Sequence, residues 1–135
     1  MHFAPTQTEL AALEEISPAE RLNYFLTRAM EAEEIWVLGN EYGWVMNESD
    51  DTEILPVWPY NVLAQACAQG DWEANNPDSV SLEHFVYNLL PQLSERDIHI
   101  EIMPSSTQKG LVFEAKALFE ILERKIDAAE YFIEG

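Results

Sequence analysis

The side chains with the greatest chemical reach in this chain are three histidines, one cysteine and 25 acids. His2, His84 and His99 stand far apart and belong to no metal-spacing motif. His84 is the third residue after Ser81, on the expected first turn of a helix, where a surface histidine is ordinary. His99 and Glu101 lie two residues apart and so share one face of a strand. Exposed strand-face polar groups explain that spacing better than an acid–base or ligand pair. Cys67 falls on an apolar helical stripe and reads as a small buried hydrophobe, with no nucleophile–base motif beside it. The run from Asn47 to Glu53 is dense in oxygen ligands, but it lacks the calcium-loop glycine and spacing, so a polar hairpin turn is the better reading. Gly39 and Gly43 join two strands and do not open a helix, which excludes a phosphate-cradling loop there. These residues assign no catalytic group, no metal site and no cofactor.

Four tryptophans crowd into one third of the chain: Trp36, Trp44, Trp58 and Trp72. An indole is large, and its N–H needs a partner when buried. Such a concentration marks either the core of a sheet or an aromatic-lined groove. The candidate recognition surface is Trp36, Tyr42, Trp44, Trp58, Pro59, Tyr60 and Trp72. Charge narrows what such a surface could meet. Asp and Glu number 25 against 7 Lys and Arg, a formal net charge of −18. That charge repels nucleic-acid phosphates and anionic membranes, and the aromatics are not interleaved with Lys or Arg as in a base-stacking platform. The dispersed acids serve as solvated faces, as an attraction for a basic partner, or as an adaptation to salt.

The elements that would position these residues follow from periodicity. A short first helix is expected from Thr8 to Ile16. Ser17, Pro18 and Glu20 form an N-cap, a first-position proline and a capping box, and Leu22, Phe25, Leu26, Ala29 and Met30 follow at helical spacing to about Glu33. Three strand-like runs come next: Ile35 to Leu38, Gly43 to Met46 and Glu53 to Trp58, separated by turn residues. Pro59 opens a helix carrying Val62, Leu63, Ala66 and Cys67, with Gly70 as its C-cap. The segment from Asp71 to Val80 reads as a loop. Ser81 caps a helix with Leu82, Phe85, Val86, Leu89, Leu90 and Leu93 inward, which Pro91 should kink or split. Ile98, Ile100 and Ile102 alternate with His99, Glu101 and Met103; Leu111 to Phe113 supplies a partner strand. A C-terminal helix places Leu118, Ile121, Leu122, Ala129 and Phe132 inward.

The expected class is α+β: an antiparallel sheet of about five strands, a three-strand meander plus a C-terminal pair, packed against amphipathic helices. Length suits one domain over residues 1–135, with residues 1–16 loosely attached. Apolar runs are too short for a membrane span, and the N-terminus lacks the basic and apolar regions of a secretory signal. One cysteine excludes an intrachain disulfide framework, so a cytoplasmic protein is expected.

One set of residues points to a family. Glu34-Ile35-Trp36-Val37-Leu38 follows a helix ending in acids; Gly43-Trp44, then Ile54-Leu55-Pro56-Val57-Trp58-Pro59, Asp71-Trp72, Ser81-Leu82-Glu83 and Leu90-Pro91-Gln92-Leu93 complete the pattern. Over roughly Ser17 to Ile126 the chain resembles a small bacterial family, domain of unknown function 2750. The resemblance implies a bacterial single-domain protein and assigns no activity, cofactor or catalytic residue.

Two functional expectations follow. The first is a non-enzymatic interaction module, such as an immunity- or inhibitor-like protein, that meets a basic partner by charge steering. The second is a small-ligand binder or enzyme with a pocket beside Trp36, Trp44 and Trp58, where Tyr42, Tyr60, Glu53 and His99 are the polar candidates. The oligomeric state is not fixed by the sequence.

Overall fold

A computed structural model describes residues 6–13, 15–41, 43–105 and 109–134; it gives no side-chain placement for Leu10, Asp71 or residues 129–134. Helices α1 (Gln7–Leu13) and α2 (Pro18–Ala32) come first. The capping box of α2 is formed: Glu20 N–H donates to Ser17 Oγ, and Ser17 N–H donates to Glu20 Oε1, both at 3.2 Å. These bonds satisfy amide donors that a helix start leaves without intrahelical partners. Phe25, Leu26 and Ala29 are buried on one face of α2. The helix stops at Glu33, which takes a left-handed φ of 57°. Leu13 of α1 is also buried, and Arg28 of α2 reaches Glu9 at 3.3 Å.

The class is α+β, but the strands are arranged differently from the expected five-stranded meander. Among the described residues there are two sheets. One has the order β2-β1-β5, from Gly43–Trp44, Glu34–Asn40 and Asn76–Ser81. The other has the order β3-β4-β6-β7, from Asn47–Ser49, Thr52–Val57, His99–Ile102 and Leu111–Glu114. Its central pair, β4 and β6, is parallel. A parallel pair needs a long crossover, here the chain from residue 58 to 98. The two sheets are linked where Trp36 and Trp58 exchange backbone hydrogen bonds of 2.8 and 2.9 Å.

Strand β5 replaces the expected loop after Asp71. Its sequence, Asn-Pro-Asp-Ser-Val-Ser, lacks an apolar alternation because β5 is an edge strand whose pairing with β1 runs through the backbone. Pro77 is tolerated there for the same reason. The polar hairpin turn expected from Asn47 to Glu53 is present, with β3 as one arm and a two-residue turn at Asp50 and Asp51. Asp50 and Asp51 have φ of 50° and 66°, the type I′ geometry that aspartate accepts more readily than most residues.

Helix α3 (Asn61–Ala66) is short, and Cys67 rather than Gly70 is its C-cap. Its expected apolar stripe is not a buried one: Val62 and Ala66 are exposed, while Ala64 is buried. Gly70 begins a short 3₁₀ turn, Gly70–Trp72. Helix α4 (82–95) passes through Pro91 by widening, with a π-helical stretch over Phe85–Leu89 between α-helical ends. There Leu90 N–H donates to Phe85 O, an i→i−5 bond, just before the residue that has no N–H to give. Phe85, Val86 and Leu90 are fully buried. Helix α5 (Ala115–Glu134) buries Leu118 and Leu122 and leaves Ile121 half-buried; Ala129 and Phe132 lie outside the described side chains. The alternation in β6 is observed on one face, where Ile98, Ile100 and Ile102 are buried. On the other face Glu101 and Met103 are buried too, against the expectation of exposed polar groups.

Candidate functional site

The tryptophans divide into different settings. Trp58 is 1% exposed, and its Nε1–H donates to Pro104 O at 2.9 Å. Pro59 and Tyr60 are buried beside it, so this part of the candidate surface belongs to the interior. Tyr60 meets Tyr24 edge to face, with ring centroids 6.5 Å apart. Burial pushes the hydroxyl pKa of both tyrosines above its ordinary value; for Tyr24 the hydrogen bond to Glu9 Oε2 adds to the effect. Trp36 is half-buried, at the β1–β4 link. Tyr42 lies outside the described residues.

Trp44 and Trp72 form the open part. Both are half-buried, and both line a shallow cleft of about 310 Å³ with Asn40, Gly43, Val45, Met46 and Asn75. The hairpin from β1 to β2 sets Trp44 opposite Gly39, and a Cβ on Gly39 would stand 2.8 Å from Trp44 Cδ1. The absent side chain therefore makes room for the indole. Trp44 Nε1–H donates to Asp78 Oδ2 at 3.1 Å across two strands. Asn75 is buried; it accepts from Asn40 Nδ2 at 2.9 Å and donates to Trp72 O at 3.2 Å. That amide pair fixes the cleft between β1 and the 3₁₀ turn. Glu41, Glu73 and Asp78 are exposed. On another side Trp44, Gly43 and Met46 border a cleft of about 230 Å³ with Leu89, Gln92, Leu93 and Arg96.

Sequence reasoning missed Asn40, Asn75 and Asp78. The segment read as a loop holds an edge strand, and no local signal in the sequence marks Asp78, 34 residues away, as the acceptor of the Trp44 N–H.

The remaining polar candidates are dispersed. Glu53 is exposed. His99 is half-buried, and its Nδ1 meets no hydrogen-bond partner among the described residues. Glu101 is 7% exposed; its Oε2 accepts from Gly110 N–H at 3.0 Å and its Oε1 from Asn47 Nδ2 at 3.4 Å. It thus anchors the entry to β7. Cys67 Sγ donates to Pro104 O at 3.2 Å. It borders an apolar cavity of about 260 Å³ beneath α3, lined also by Leu13, Trp58, Leu63 and Met103. The guanidinium of the buried Arg21 borders this cavity and is held by Leu13 O, at 2.7 Å, and by Met103 O. Among the described residues, no three His, Cys, Asp or Glu side chains are grouped to hold a metal ion, and no helix is long and apolar enough to cross a membrane.

A family model described as protein of unknown function (DUF2750) matches residues 22–122. No curated protein and no solved structure matches the chain.

Proposed function

The chain belongs to the DUF2750 family of proteins of unknown function, and we propose that it acts there as a non-catalytic interaction module for a basic protein partner, in the manner of an immunity or inhibitor protein. One observation carries this reading. Two of the three half-buried indoles, Trp44 and Trp72, share one cleft among exposed carboxylates of a chain with net charge −18. Indoles supply contact area at low entropic cost, and the negative field accelerates encounter with a cationic surface. Membership of the family adds no mechanism to this reading.

Binding of a model basic peptide, followed by tryptophan emission at low and at moderate salt, tests it. The expected result is saturable binding that weakens steeply with salt and is impaired by Trp72→Ala. Absence of binding at low salt counts against the module.

A second reading, a small apolar ligand, is favoured by the cavity beneath α3. An Ala66→Leu variant narrows that cavity, of which Ala66 is a lining residue. A thermal shift that an apolar metabolite produces in the wild type and that this variant loses would support the reading.

A further inference from the structure

We propose that the Trp44–Trp72 cleft is an arginine-binding notch, in which the guanidinium of one arginine of a partner protein stacks on the Trp44 indole beside the Asp78 carboxylate. The inference rests on the basic-partner reading above and specifies which group the cleft selects.

Three observations carry it. First, the indole is electronically prepared. An indole N–H lies in the ring plane, so the Asp78 oxygen 3.1 Å from Nε1 stands at the ring edge and does not cover the part of the half-buried indole that lines the cleft. An anion accepting from the N–H enriches the ring, whose face already attracts cations through its quadrupole. Asp78 is exposed and uses one oxygen for this bond, so the other can accept from a stacked cation.

Second, the cleft holds no positive charge of its own. From Ala29 to Glu95 the chain contains no Lys or Arg. The cleft lining, which is Asn40, residues 43–46, Trp72 and Asn75, falls inside that stretch. The cleft on the other side of Trp44 differs, because Arg96 lines it and would repel a second cation. The site is therefore the Trp72 side.

Third, the shape suits a planar head. A shallow cleft of about 310 Å³, lined by two indoles and by the hydrogen-bonded Asn40–Asn75 amide pair, admits a side-chain terminus rather than a whole fold. A guanidinium is planar and weakly hydrated, so it can stack on an indole and donate to a carboxylate together; an ammonium is a compact, strongly hydrated point charge.

The test follows the indole N–H signals of ¹⁵N-labelled protein during titration with three capped tripeptides, Gly-Arg-Gly, Gly-Lys-Gly and Gly-citrulline-Gly. Citrulline keeps the shape of arginine without its charge. The expected result is a saturable shift of the Trp44 and Trp72 signals with the arginine peptide, a weaker one with lysine and none with citrulline. Asp78→Asn keeps an acceptor for the indole N–H but removes the charge, and should weaken arginine binding by about threefold or more. Equal responses to arginine and citrulline would overturn the proposal, as would equal responses to arginine and lysine or shifts confined to Trp36 and Trp58. A longer basic peptide separates the two readings. If it binds without moving Trp44, the arginine notch fails and the basic-partner reading survives; if it does not bind at all, both fail.

Discussion

Trp58 and Trp44 have the same side chain and a comparable place in short apolar runs, yet they end in opposite settings. Trp58 is sealed, and its N–H goes to a backbone carbonyl, Pro104 O. Trp44 is half-open, and its N–H goes to a carboxylate, Asp78. A buried N–H needs an acceptor that costs little to desolvate, and a carbonyl is one; a carboxylate is best kept near water. The difference teaches that the acceptor, not the indole, marks which aromatic group is structural and which is available.

The sharpest way to break this comparison is truncation. Trp58→Ala should lower folding stability by about 4 kcal/mol, in the range of large core deletions. Trp44→Ala should cost about 1 kcal/mol, as half-open positions do. Urea denaturation of both variants checks the pair, and equal losses would show that Trp44 is as structural as Trp58.

The glycines beside the two regions extend the contrast at a smaller scale. A Cβ on Gly110 would stand 1.9 Å from Ile102 O, a backbone atom that cannot turn aside. A Cβ on Gly39 meets Trp44 Cδ1 at 2.8 Å, the edge of a side chain that can, and its backbone neighbour, Gly43 O, stands farther off at 3.1 Å. Gly110→Ala should therefore cost about 3 kcal/mol and Gly39→Ala about 1 kcal/mol, the latter with a shift in tryptophan emission as Trp44 is displaced. Thermal melts with fluorescence detection read both quantities. A Gly39→Ala variant that melts as low as Gly110→Ala would mean that the Trp44 side is packed as rigidly as the other.

What could be read from sequence follows the range of the interactions. Ser17 and Glu20 announced their helix because a capping box closes within three residues. Ile98, Ile100 and Ile102 announced a strand because their alternation is local. The acceptors of Trp58 and Trp44 lie 46 and 34 residues away along the chain, so neither burial nor openness leaves a local trace. Strand β5 was hidden for a related reason: its partner supplies its hydrogen bonds, and its side chains face water along much of its length. Glu101 looked like a solvent-facing residue, because alternation cannot reveal that Gly110 and Asn47 fold over it. Pro91 signalled a disturbance in α4, while the π-helical remedy depends on the turn before it.

The Trp58 side should also respond to alkali. Tyr24 and Tyr60 pack against each other beside Trp58, and both hydroxyls are held above the ordinary value of 10.0 by burial. The folded state thus favours the neutral phenol. Its contribution to stability is complete below the unfolded pKa and declines as the pH rises through 10 toward the folded values. The urea midpoint should fall above pH 10, and less steeply in Tyr24→Phe, which cannot ionise. Identical slopes for wild type and variant would remove Tyr24 from the account.

The smallest effect, and the one that sharpens the comparison most cleanly, is that of salt. With 25 acids against 7 basic side chains the folded chain repels itself, and the repulsion is relieved when the chain expands. Screening acts on charges in water, at a Debye length of about 10 Å in 0.1 M salt. Added salt should therefore raise the melting temperature by a few degrees at neutral pH. Its source must be the exposed carboxylates, among them Glu41, Glu73 and Asp78 near Trp44, because the Trp58 indole is sealed and the charge that borders the same cavity, the Arg21 guanidinium, is buried where salt screens it little. The increment should persist in a mild variant of the Trp58 side such as Trp58→Phe and shrink slightly in Asp78→Asn. A melting temperature that does not move between 20 mM and 300 mM sodium chloride would show that self-repulsion is negligible. The carboxylates around Trp44 would then be held there without cost to the fold, and their presence could not be counted as a sacrifice of stability for binding.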